Sequence, residues 1–178
     1  MDAAAFDSAG YGDMDERLEK IAQYFLARSQ ASEFSPASIG AKLLPHLFVL
    51  DIERTPAGEL SGLRIRLVGT ELDRTFNKPL KDRRLEEFIH GPRGASVIDR
   101  FHHCARTREP VWMRQIVHIQ NRPPRYVEGV AIYLQPERIY GGLVVGEAID
   151  RVTPETFEHR ILHAGFADPE RSAETGGV

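Results

Sequence analysis

Cysteine is nearly absent from this chain: Cys104 is the only one in 178 residues. That excludes an intrachain disulfide and a multi-cysteine zinc site, and it fits a reducing, cytoplasmic setting. Long apolar runs are missing as well, and no stretch approaches the roughly 20 residues that a membrane helix needs. The first 13 residues contain Ala3, Ala4 and Ala5 but no basic side chain, so they lack the charged start of a secretory signal. Nor is there an excess of positive charge. Lys and Arg number 23 against 26 Asp and Glu, a formal net charge of -3. A nucleic-acid partner would call for a basic stripe, and the net charge gives no electrostatic reason to expect one. Repeats and low-complexity blocks are absent too.

What remains is an ordinary globular composition, 42% hydrophobic and 28% charged. Its length suits one domain with extensions, because domains commonly run to about 100–150 residues. Residues 1–12, small and acidic, read as a disordered lead-in. Residues 13–42 read as a helical extension. Asp13 and Glu16 have the spacing of a capped helix start, and Leu18, Ile21, Ala22 and Phe25 then recur on one face. Pro36 opens a second short helix running to about residue 44, with Ser35 as its cap and Pro45 closing it.

From His46 the apolar period becomes two. Phe48, Leu50 and Ile52 alternate with Val49, Asp51 and Glu53; after a turn around Gly58, Leu63, Ile65 and Leu67 alternate with Arg64 and Arg66. Gly69 and Thr70 end this strand, and Thr70 is placed to cap a helical turn carrying Leu72 and Phe76. Short helices are expected over 85–89 and 94–107. Three strands follow, over 111–119, 125–134 and 142–149. The gaps between them are too short for βαβ crossovers, which need about a dozen residues, so the sheet is antiparallel. A helix over 154–163 and a polar tail occupy 151–178. The fold class is thus α+β: a five-stranded antiparallel sheet with helices on one face and an amphipathic N-terminal helix.

The run Arg66-Leu67-Val68-Gly69-Thr70, then Leu85-Glu86-Glu87-Phe88 and Tyr126-Val127-Glu128, resembles compact bacterial PAS-like sensor domains. The resemblance covers about 43–150. Where that family usually places glycines after the aromatic, this chain has Asn77 and Asp82, the residue types that best tolerate left-handed backbone. The resemblance implies a stand-alone sensory or regulatory protein that is not an enzyme. It would bind a small molecule or a separate signalling protein, act through association as a homodimer, and touch neither nucleic acid nor membrane.

It also implies that the helix over 94–107 walls the cavity. There Val97, Ile98, Phe101, Cys104 and Ala105 share one arc, with His102 at its edge. A haem-ligating role for His102 is weighed against a histidine at the core boundary. No propionate partner is evident, so no cofactor is expected. Cys104 lacks the Asn-Cys-Arg context of a photoactive flavin site and reads as a small core hydrophobe. His159 and His163 would share a helix face, but no third metal ligand stands nearby, so no metal is expected. Gln115 falls on the same strand face as Val111 and Met113, toward the helices, where a buried amide needs a partner.

The expected ligand site is Phe76, Phe88, Phe101, His102 and Gln115. The expected partner or dimer interface is Leu18, Ile21, Phe25 and Trp112: the apolar stripe of the N-terminal helix is expected over the outer sheet face near Trp112, either within one chain or paired across a dimer. Two contrasting readings stay open. One is a cone-shaped α+β isomerase or hydratase using Asp51, Glu128, Glu147 or a histidine as base; the other is a dimerisation module without ligand.

Overall fold

The computed structural model describes residues 14–28, 36–77, 79–89, 91–117, 123–134, 136–148 and 158–161. The lead-in at 1–12 and most of the tail at 151–178 lie outside the described residues.

Helix α1 spans Glu16–Leu26, and Leu18, Ile21, Ala22 and Phe25 are all buried along its stripe. Its cap is Asp15. That carboxylate accepts the Arg17 backbone N–H at 2.9 Å, and the Arg17 guanidinium holds the Asp15 carboxyl below the usual carboxylate range. Asp13, expected in this role, lies outside the described residues. The single helix expected from Pro36 is two 3-10 turns, Pro36–Ile39 and Leu44–His46, with Gly40 at φ +101° between them. Pro45 sits inside the second turn instead of closing the first. A proline there costs nothing, because the opening N–H groups of a helix have no internal partner.

The strands are β1 (Leu47–Arg54), β2 (Leu60–Val68), β3 (Val111–Val117), β4 (Arg125–Leu134), β5 (Arg138–Ala148) and β6 (Glu158–Ile161). All pair antiparallel, in the order β2-β1-β5-β4-β3-β6. The five expected strands form a PAS-like α+β sheet, and β6 is an addition at one edge. Strand β5 begins before Gly142 because its first half pairs along β1, from Arg138↔Asp51 to Gly142↔Leu47. The helix expected over 154–163 is replaced, in its described part, by β6. His159 lies on β6, and His163 lies outside the described residues.

Between β2 and β3 lie α2 (Thr70–Phe76), α3 (Leu85–Phe88) and α4 (Gly91–Thr107). Gly69, not Thr70, occupies the cap of α2. A Cβ at Gly69 would lie 2.2 Å from the Pro45 carbonyl oxygen, so the backbone of the preceding turn leaves room for glycine alone. Asn77 and Asp82 have φ of 50° and 67°, the left-handed conformations that their side chains tolerate.

Strand alternation divides the sheet into two packed faces. On the inner face, Phe48, Leu50, Ile52, Leu63, Ile65, Val111, Met113, Ala131 and Ile139 pack with Val97, Phe101, Cys104 and Ala105 of α4. On the outer face, Leu47, Val49, Trp112, Val130, Ile132, Tyr140 and Val144 pack with the stripe of α1. The sheet is therefore covered on both sides, with α2–α4 on one and α1 on the other.

Candidate functional site

The inner face is where the expected ligand residues can be placed. Phe101 is buried, and its ring meets Phe48 edge-on with centroids 5.6 Å apart. Phe76 is partly buried against the same cluster. The side chain of Phe88 lies outside the described residues. Gln115 is half-buried on β3, in register with Val127 and on the face of Val111 and Met113. A polar amide thus stands in a row of apolar strand residues.

His102 is tied elsewhere. Its Nε2 lies 2.8 Å from Glu86 Oε1, and the Glu86 carboxylate also accepts the Leu63 backbone N–H at 3.1 Å. One carboxylate on α3 thereby links α4 to the edge strand β2. Glu86 was not singled out in the sequence, although it lies inside the Leu-Glu-Glu-Phe run. Its role depends on Leu63 and His102, which are 23 and 16 positions away. Among the described residues no group of three or more His, Cys, Asp and Glu is gathered as a metal site. Among the described residues no helix is long and apolar enough to cross a membrane.

On the outer face the stripe of α1 packs within the same chain. Trp112 is 3% exposed, because α1 lies over it within the same chain. Its indole N–H donates to Glu128 Oε1 at 2.8 Å, and the same oxygen accepts the Asp15 backbone N–H at 2.8 Å. Arg114 reaches the other oxygen at 3.3 Å. Glu128 thus pins the start of α1 to β3 and β4. Leu18, Ile21 and Phe25 are fully buried in this contact.

Two other weighed carboxylates are placed as well. Asp51 pairs with Arg138 at 2.7 Å and Arg66 at 3.3 Å on the outer side, and Glu147 is exposed near the end of β5.

Cys104 is fully buried and its thiol faces the Ala131 carbonyl at 3.7 Å. Burial pushes the thiol up to about 12 from an ordinary 9.0. Below pH 9 the thiol is protonated in the native and unfolded chains alike. Above it the unfolded chain loses that proton first, so stability should fall by about 1.4 kcal/mol per pH unit until the native thiol ionises. Urea melts of wild type and Cys104→Ala across pH 8–11 should therefore converge as pH rises. A constant gap between them would mean that the native thiol ionises like a free one.

Comparison with family models, with curated proteins and with solved structures returned no match.

Proposed function

We propose that this chain is a sensory or regulatory domain of PAS-like type. It binds a small, mostly apolar molecule against the inner sheet face and passes the signal to a separate protein through association. The observation that carries this reading is Gln115, a half-buried amide aligned with Val111 and Met113 on the helix-covered face. An amide in such a row gains a specific role when it hydrogen-bonds a ligand in apolar surroundings, since apolar pockets use a few polar groups to orient what they hold.

Native mass spectrometry of protein purified from its source tests this directly, with a retained small molecule as the expected result. Gln115→Leu, similar in volume, should weaken that binding by about 1–3 kcal/mol, because a buried polar group on the ligand loses its partner. The melting temperature should stay close to wild type. A protein that carries no small molecule, or a Gln115→Leu variant that binds it equally well, would leave the second reading, an association module without ligand. The edge-on packing of Phe101 on Phe48, which fills space beneath α4, favours that alternative.

A further inference from the structure

The sheet has two edges, and the chain treats them differently. The β2 edge is closed by its own neighbourhood. Glu86 accepts the Leu63 N–H, Arg83 O accepts the Ile65 N–H at 2.8 Å, and Asp82 donates its N–H to Ile65 O at 2.7 Å. The bridge between Arg64 and Arg84 completes this closure. Unpaired edge groups are a template for another strand, and here they are capped.

Among the described residues the β3 edge is paired by β6 alone. That strand is four residues long, whereas β3 has seven. The ladder runs from Arg114↔Glu158 to Val111↔Ile161, so Gln115, Ile116 and Val117 extend past it. A strand this short adds few backbone bonds, and segments of this kind open at little free-energy cost. Residues 149–157 connect it to β5. Nine residues can reach about 30 Å, while the passage from β5 across β4 and β3 to the β6 position is three strand spacings, about 14 Å. Nine residues are thus enough in number to span the passage with β6 off the edge.

We propose that the β3 edge is a strand-docking surface with β6 as its displaceable occupant. The partner it fits is the 158–161 segment of a second copy of this chain, added antiparallel in the same register. Exchange of this kind reuses the backbone bonds of the closed chain, so it needs no new complementarity. It is favoured as protein concentration approaches the effective concentration of the tethered strand, about 1 mM for a tether of a few residues. Association of two copies would then depend on the C-terminal segment, independently of anything bound at the inner face.

Cysteine pairs placed by the register test this. Mixing full-length Arg114→Cys with full-length Glu158→Cys under mild oxidation should give disulfide-linked heterodimers. Their yield should be at least about tenfold above that of Arg114→Cys mixed with Glu147→Cys, a pair outside this register. The chain carrying both Arg114→Cys and Glu158→Cys should instead close on itself. Equal yields from the two mixtures would overturn the proposal. The unsubstituted chain supplies a check that needs no variant to fold. A synthetic peptide of residues 155–163, added at about millimolar concentration, should slow hydrogen exchange at the β3 edge amides by up to about twofold and leave the Leu63 and Ile65 amides unchanged. Exchange unaltered at β3 would equally overturn it.

Discussion

Gly141→Ala should destabilise the domain by about 3 kcal/mol or more, enough to unfold it at a modest urea concentration. A Cβ at Gly141 would stand 2.0 Å from the Val130 carbonyl oxygen and 2.4 Å from Phe48 Cζ. Both distances are far inside van der Waals contact. The carbonyl belongs to the backbone of β4, in the middle of the sheet, and cannot retreat without disturbing the β4–β5 ladder. Phe48 in turn is held by Phe101. Gly142→Ala is the informative comparison. Its Cβ would meet Ile21 Cδ1 at 2.5 Å and Leu18 Cδ2 at 3.1 Å, the flexible ends of side chains on α1. Those can shift, so its cost should be smaller, about 1–2 kcal/mol, and felt as a displacement of α1. Urea denaturation of the two variants in parallel decides the matter. Equal stability would show that the backbone approach at Gly141 is looser than described.

Removal of residues 1–28 should produce the second large effect. It uncovers Leu47, Val49, Trp112, Val130, Ile132, Tyr140 and Val144 together, an apolar area of several hundred Å², the scale of patches that drive association. The truncated protein should self-associate or precipitate more readily than the full chain. Trp112 is the only tryptophan, so its fluorescence reports the outer face without labelling. Emission should move to longer wavelength once α1 no longer covers the ring. Phe25→Ala is the milder form. Phe25 is fully buried with its ring 5.4 Å from that of Tyr140, and deleting it should cost about 3–5 kcal/mol through lost contacts and a cavity. A truncated chain with unchanged size distribution and unchanged Trp112 emission would refute the role of α1 as a cover.

Residue pattern alone determined a good part of this protein. The stripe Leu18, Ile21, Ala22 and Phe25, the alternation through β1 and β2, the face on which Gln115 stands and the arc of α4 all follow from local periodicity. So do the left-handed turns at Asn77 and Asp82, because side-chain chemistry limits backbone choice within one residue. Each of these is a short-range constraint, legible wherever it occurs.

Tertiary structure decided the rest. Residues 158–161 carry no pattern that excludes a helix; an open β3 edge makes them a strand, since a short segment takes the state its partner offers. Gly69 is required because the Pro45 carbonyl lies against it, and Trp112 is buried because α1 folds back over it. Glu86 and Glu128 act through groups that the chain brings together only on folding. The N–H that Asp15 gives to Glu128 spans 113 positions. Periodicity records which way a side chain faces. It holds no information about what the folded chain places opposite, and hydrogen bonds and close packing depend on that second fact.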